Sequence, residues 1–274
     1  MANDELALLV EAVLAGAKYR HLDPALVRAI GEQELRKRRN RKEAVKATKN
    51  KLHQTVGAYW TGGQAYADWL AELQASAQDC GVMRTVCRTL MQQHASTRER
   101  LPLLEEFYAT IFAGLPPMRR VLDLACGLNP LTIPWMPLAP GAIYHACDID
   151  GEQMAFLQAA LPLLGVQGDA TVCDLLQPTA FPASDVVLLL KTIPCLEQID
   201  KEIGPQLLTA LHAPVLIVSY PAQSLGGRNK GMVENYRERF QSMLPEGHWQ
   251  IQEFSFATEL VFRLQNHTAL ATRP

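Results

Sequence analysis

From residue 119 onward one pattern repeats: a short, mostly apolar run, a helical or loop segment, and another apolar run. The clearest runs are Arg120-Val-Leu-Asp-Leu-Ala125, Ala142-Ile-Tyr-His-Ala-Cys-Asp148, Asp185-Val-Val-Leu-Leu-Leu190 and Val215-Leu-Ile-Val-Ser219. Each is five to seven residues long, which is strand length rather than helix length. Strict alternation would leave one face wet, whereas a continuous run has both faces covered, as in a parallel sheet between helix layers. A weaker strand is expected at Ala170 to Cys173. Trp249 to Phe256 and Glu259 to Leu264 are separated only by a tight turn, which predicts an antiparallel hairpin. The expected fold is α/β: a Rossmann-like, seven-stranded, mostly parallel sheet with a C-terminal antiparallel hairpin.

Residues 1 to about 90 read differently. Leu6, Leu9, Val10, Val13 and Leu14 recur at helical spacing, and Asp23-Pro24 pairs an N-cap with Pro at the first helical position. A further helix is expected from Glu43 to His53. Thr61-Gly62-Gly63 breaks the pattern, with another helix over Ala65 to Leu73. Two units are expected, a helical N-terminal domain over 1–90 and a sheet domain over 91–274.

The chain has 274 residues, 48% of them hydrophobic, enough for a substantial core. No run approaches the roughly 20 apolar residues of a membrane helix. The acidic start Met1-Ala-Asn-Asp-Glu5 has no basic, apolar secretion leader, so the cytoplasm is the expected location. The six cysteines, at 80, 87, 126, 147, 173 and 195, form no Cys-x-x-Cys pair, so reduced core residues and no metal are expected. Charge is unevenly placed: residues 1–60 carry 12 Lys and Arg against 7 Asp and Glu, and the remainder 14 against 21. Most of the excess lies between Arg36 and Lys51, nine cations against one acid over 16 residues. A charge run is usually a solvated helix face, but so little compensation favours contact with phosphates. Arg36, Lys37, Arg38, Arg39, Arg41, Lys42 and Lys46 are the expected contacts. Ser224-Leu-Gly-Gly-Arg-Asn-Lys-Gly231, after the fifth strand, is a second basic segment with Arg228 and Lys230.

Acids mark the ends of three successive strands. Val121-Leu-Asp-Leu-Ala-Cys-Gly127-Leu-Asn-Pro130 ends its strand near Asp123, and Gly127 permits a tight turn beneath a ligand. The segment lacks GxGxxG, so Asp123 suits the ammonium of S-adenosylmethionine better than a pyrophosphate. Asp148 closes the second strand at the distance expected of a ribose-binding acid. Asp174, beside Leu175, closes the third, within reach of an adenine amino group. Each acid alone reads equally well as a solvated loop residue; the three together make a nucleoside-binding edge.

The chain resembles the aminoglycoside-resistance 16S rRNA methyltransferases that modify N7 of a decoding-site guanine. The likeness is carried by His94-Ala-Ser-Thr-Arg-Glu-Arg-Leu101, Val121 to Pro130, Leu190-Lys-Thr-Ile-Pro-Cys-Leu-Glu197, Ser219-Tyr-Pro-Ala-Gln-Ser-Leu-Gly-Gly-Arg-Asn-Lys-Gly-Met232 and Thr258-Glu-Leu260. A looser likeness reaches Lys18-Tyr-Arg20 and Leu52-His53, so it covers nearly the whole chain. It implies a class I methyltransferase fold, S-adenosylmethionine as cofactor, and the 16S rRNA of the assembled 30S subunit as partner, met by a monomer. It also implies that His94, Ala95, Ser96 and Arg100 hold the cofactor, with the Arg100 fork suited to the methionine carboxylate. By the same resemblance Ala125 and Gly127 line the methionine pocket, Asp148 meets ribose, Asp174 and Leu175 meet adenine, and Leu190 and Gln198 flank the cofactor.

Guanine N7 carries an in-plane lone pair, so no general base is expected, and no Asn/Asp-Pro-Pro-Tyr cluster follows the fourth strand. Tyr220, Pro221 and Met232 are candidates for packing the extracted base. Three rivals stand beside this reading. Pro194-Cys195 follows the fourth strand, where cytosine-C5 methyltransferases place a nucleophilic thiol. A non-catalytic ribosome-binding factor on a decayed fold is the second, against which the full set of three acids argues. A small-molecule methyltransferase is the third, against which the basic front half argues.

Overall fold

The computed structural model describes residues 2–57, 65–177, 180–222, 231–244 and 249–266. The N-terminal helices are α1 (Ala2–Leu14), α2 (Pro24–Lys37), α3 (Arg41–Leu52), α4 (Tyr66–Ser76), α5 (Cys80–Met91), α6 (Ala95–Arg100) and α7 (Leu104–Ile111). The sheet region follows as β1 (Met118–Leu124), β2 (Leu138–Asp148), α8 (Gly151–Ala160), β3 (Gln167–Val172), β4 (Val186–Leu190), α9 (Ile193–Leu196) and α10 (Ile203–Ala210). It ends with β5 (Val215–Pro221), α11 (Met232–Met243), β6 (Gln250–Ser255) and β7 (Glu259–Gln265).

Local chemistry sets the helix starts. Asp23 accepts from the Ala25 amide at 2.8 Å, with Pro24 in the first turn. Asn40, Asp79 and Asp150 cap α3, α5 and α8 in the same way. The Thr61-Gly62-Gly63 breaker lies outside the described residues.

The seven strands form one sheet in the order β3-β2-β1-β4-β5-β7-β6. The first five are parallel; β7 runs antiparallel to β5, and β6 to β7. All five residues of β4 are buried, as its unbroken apolar run predicts. One face of the sheet packs against α4, α5, α7 and α8, and the other against α10 and α11.

The core divides the chain earlier than residue 90. Leu6, Leu9, Val27, Ile30 and Leu52 form a small core among α1, α2 and α3. Trp69 and Leu73 of α4, and Met83, Cys87 and Leu90 of α5, belong to the sheet's core instead. An amphipathic helix shows that it has a buried face but not which partner covers it, and here the partner is the sheet. The helical unit is joined to the sheet edge by a short antiparallel bridge, Leu22 with Asp150. Asp23 donates its amide to the Ile149 carbonyl at 2.9 Å, and Gly151 to that of His21 at 2.8 Å. All six cysteines are free thiols, but Cys80 is exposed at the start of α5 rather than in the core. No helix among the described residues is long and apolar enough to cross a membrane.

β3 lies so close to β2 that Gly168, paired with Tyr144 and at φ +126°, has no room for a side chain. A Cβ there would stand 2.0 Å from the Tyr144 carbonyl oxygen. Gly168→Ala is expected to cost about 2–4 kcal/mol. Thermal denaturation should register this as a clear fall in Tm, and an unchanged Tm would show that the two strands are not held this close.

Candidate active site

Strand order reverses at β1, which has β2 on one side and β4 on the other. In open α/β sheets the crevice beyond the carboxyl ends of the strands at such a point is where ligands bind. A concave site opens there. Its wall takes Asp123 from β1 and Gly127 after it, Asp148 from β2, Asp174 after β3, Leu190 from β4 and Lys191 after it.

Two non-glycine residues beside it adopt left-handed backbone, Ala125 at φ 50° and Lys191 at φ 59°. Such conformations persist only where the surroundings impose them. At Lys191 the imposing contacts are its amide on the Ser219 carbonyl, at 3.1 Å, and the Thr192 hydroxyl on the Leu124 carbonyl, also at 3.1 Å. Gly127, at φ +51°, turns the chain so that its amide donates to Asp148 at 2.8 Å. The His94 imidazole packs on Gly127 so closely that a Cβ there would lie 2.8 Å from the ring. Burial, with the charges of Lys191 and Arg100 adding to it, holds His94 neutral with a pKa lowered to about 3.

Asp123 is completely buried. Its Oδ2 accepts from the Tyr144 hydroxyl at 2.6 Å and from Asn129 Nδ2 at 2.9 Å. Its Oδ1 is buried and has no hydrogen-bond partner among the described residues. Burial pushes its pKa up to about 6, against the Tyr144 and Asn129 hydrogen bonds and the Arg100 charge. Asp148 accepts the Gly127 and Ile149 amides on separate oxygens, leaving a lone pair on each. Asp174 accepts the Leu176 amide at 3.0 Å. Burial also raises the pKa of both acids.

Arg100 corrects one expectation. Its Nε donates to Glu259 Oε2 at 3.2 Å, its Nη2 to Glu259 Oε1, and its Nη1 to Asn129 Oδ1 at 2.8 Å. The two-pronged fork is closed on Glu259, so only the remaining Nη hydrogens face outward for a ligand carboxylate. Burial alone would weaken the charge, but Glu259 outweighs it and raises the Arg100 pKa. Lys191 completes the cluster, 2.6 Å from Glu99 and 3.4 Å from Glu259.

His94, Ser96, Arg100, Asp123, Ala125, Gly127, Asp148, Asp174, Leu175 and Leu190 therefore converge on one cavity. Two expected residues do not reach it. Ala95 is buried in the first turn of α6, off the cavity wall. Gln198 is exposed beyond α9, its side chain donating to the Pro194 carbonyl at 3.5 Å; Leu196 and Ile199 face the cavity instead. Asn129, Gln153, Lys191 and Thr192 also line it, as do Leu26 and Thr55 from the helical unit, although the sequence assigned none of them. Asn129, Lys191 and Thr192 stand inside motifs already singled out, and that was the signal available for them. Tyr220 cannot pack a base, being completely buried against Tyr236 and Phe240.

At the other end of the helical unit, α2 and α3 meet in a basic elbow where every expected phosphate contact is exposed. Arg36 pairs with Glu32 at 2.6 Å, Arg38 with Glu34 at 2.9 Å, and Arg41 with Glu5 at 3.6 Å. Glu34 is itself buried and also meets Lys51 at 3.7 Å, so Arg38 has a structural duty. Lys37, Arg39, Lys42 and Lys46 form no ion pair among the described residues. Arg228 and Lys230 lie outside the described residues.

Known proteins share this architecture. Residues 15–263 match the family described as ribosomal RNA methyltransferase (FmrO). A 16S rRNA (guanine(1405)-N(7))-methyltransferase of Micromonospora echinospora is 39% identical over 268 residues, covering 96% of this chain and 97% of its own. A namesake from Serratia marcescens is 34% identical, over 97% of this chain and 98% of its own. The crystal structure of the 16S rRNA methyltransferase RmtF in complex with S-adenosyl-L-homocysteine superposes with a TM-score of 0.81. It is 32% identical, covering 96% of this chain and 98% of its own. The sheet order, the cavity at its switch point and these full-length matches lead to one conclusion: the chain belongs to the FmrO family of ribosomal RNA methyltransferases.

Proposed function

We propose that the protein transfers a methyl group from S-adenosylmethionine to N7 of guanine 1405 in 16S rRNA, the reaction named for its relatives. Its substrate is the assembled 30S subunit, met by a cytoplasmic monomer. The observation that carries the reading is Asp123 Oδ1, a buried oxygen on the cavity wall without a partner among the described residues. A buried carboxylate left in that state is costly, and an ammonium group relieves the cost. The residues present fit the cofactor: Asp123 toward its ammonium, Arg100 Nη toward its carboxylate, Asp148 toward ribose and Asp174 toward adenine.

When bound, S-adenosylmethionine supplies an electrophilic methyl on a sulfonium. Guanine N7 needs no deprotonation, so the chain contributes orientation and proximity rather than a general base. The neutral His94 ring on Gly127 and the fixed turn at Lys191 make the cavity wall stiff. A cytosine-C5 reaction through Cys195 is less well supported, because that thiol donates to the Lys191 carbonyl at 3.3 Å. The basic elbow holds phosphates. Its exposed ion pairs are worth only about 0.3–0.5 kcal/mol each, so Arg36 and Arg41 exchange them readily for a phosphate.

The Asp123 carboxyl gives a pH signature. It must be ionised to hold an ammonium, and burial sets its pKa at about 6. S-adenosylhomocysteine affinity should be level from about pH 7 to about 8 and fall as pH drops through about 6. Asp123→Asn should weaken binding and flatten that acid limb. A wild-type profile without the limb, measured by calorimetry, would remove Asp123 from the ammonium site.

Phosphate binding is tested with cations that hold no structural partner. Lys37, Arg39 and Lys42, changed together to Glu, should weaken 30S binding sharply and reduce the salt slope by about 2–3. S-adenosylhomocysteine affinity should be unchanged; equal loss of both would mean that the helical unit had unfolded.

The reaction also has a cellular consequence. N7 is an acceptor on the major-groove edge, and methylation replaces its lone pair with a methyl group and a positive charge. Expression in a susceptible bacterium should confer resistance to gentamicin and kanamycin, lost in Asp123→Ala, with apramycin still active. Apramycin resistance with gentamicin sensitivity would move the target to another base.

A further inference from the structure

Asn129 joins the two groups assigned to opposite ends of the ligand's amino acid. Its Oδ1 accepts from Arg100 Nη1 at 2.8 Å and from the Tyr108 hydroxyl at 2.7 Å. Its Nδ2 donates to Asp123 Oδ2 at 2.9 Å. The side chain is 3% exposed, so no water competes freely for these contacts. The amide orientation is forced: a guanidinium only donates and a carboxylate only accepts, so a flipped amide would lose both bonds. Thr132 Oγ1 stands 2.8 Å from the Tyr108 hydroxyl and 2.7 Å from the Asn129 carbonyl, fixing the turn that presents the side chain.

We propose that Asn129 is a positioning residue, a neutral spacer that keeps Arg100 and Asp123 apart and so makes the site selective for a zwitterionic amino acid. The proposal rests on the cofactor placement given above. Opposite charges buried in one cavity attract strongly, and without a spacer the Arg100 Nη hydrogens that Glu259 leaves free would close on the Asp123 carboxylate. Such a pair would satisfy both groups internally and leave nothing for the ligand's ammonium and carboxylate. The amide prevents this by giving each group a bond while remaining uncharged. It also takes Asp123 Oδ2 together with Tyr144, so that Oδ1 is the oxygen left without a partner. The ligand's two charges sit on one carbon, so a spacer of fixed length sets the span that the protein must match.

The test compares two ligands that share adenosine but differ in the amino acid. S-adenosylhomocysteine carries the zwitterion, and 5′-methylthioadenosine lacks it. For Asn129→Ala and Asn129→Ser, neither of which spans the gap, S-adenosylhomocysteine affinity should fall at least about tenfold. Methylthioadenosine affinity should change less than about threefold, which also shows that the adenosine half of the site remains folded. Equal loss for both ligands, or no loss for either, would overturn the spacer role. Asp123→Asn separates this inference from the reading beneath it. If that variant leaves the preference for S-adenosylhomocysteine intact, the placement of the methionine end is wrong. If it abolishes the preference while the Asn129 variants keep it, only the spacer role fails.

Discussion

A guanidinium 1% exposed must have its charge answered inside the protein, and much of this site follows from that requirement at Arg100. Leaving such a charge unpaired costs several kcal/mol. The answer comes from Glu259, 159 residues away in sequence, at the first position of β7. The C-terminal hairpin is therefore more than an edge to the sheet, since it delivers a counter-charge to a residue on α6. Lys191 and Glu99 extend the cluster to two cations and two carboxylates. That set balances without Asp123. Asp123 is left as a buried acid whose nearest tie to a cation runs through the neutral Asn129, which is consistent with its raised pKa.

The backbone is arranged around the same point. Positive φ angles at Ala125, Gly127 and Lys191 fall after β1 and β4, the two strands that flank the switch in strand order. These turns bring the Gly127 amide onto Asp148 and hold Lys191 beneath Glu259. Deeper in the sheet, Gly168 lets β3 approach β2 at Tyr144, the residue whose hydroxyl fixes Asp123. A glycine on a peripheral strand thus contributes to the orientation of a carboxylate two strands away.

What was legible in the sequence follows from how far each interaction reaches. Strands buried on both faces are continuous apolar runs, and the acids at their ends stand within the same few residues, so β1, β2, β4 and Asp123, Asp148 and Asp174 could be read directly. The pairing of Arg100 with Glu259, and of Lys191 with Glu99 92 residues away, has no local signature. The sequence therefore showed Arg100 as a candidate for a ligand carboxylate but not that Glu259 engages its fork. Gln198 lies off the cavity wall for a smaller reason: beyond the short helix α9, one residue of register decides whether Ile199 or its neighbour faces the cavity. The division of the helices before residue 90 between two cores was not legible, because helix periodicity does not name the surface that covers a helix. The density of charge around Arg36 to Lys46 was visible, but the buried Glu34 that occupies Arg38 was not.

The joint between the helical unit and the sheet connects the two binding tasks. Asp148 is followed by Ile149 and Asp150, and these residues make the backbone contacts with Leu22 and Asp23. Three residues further on, Leu26 of α2 reaches the cavity wall, and α2 continues to the basic elbow at Arg38. One helix thus touches the cavity near its first turn and carries exposed cations, Arg36 and Lys37, at its last. Thr55, one turn beyond α3, adds a second contact from the same unit. Any displacement of the unit must break the bridge beside Asp148 and open the wall at Leu26 and Thr55 together. The position of the elbow and the shape of the cavity are therefore held by the same few bonds.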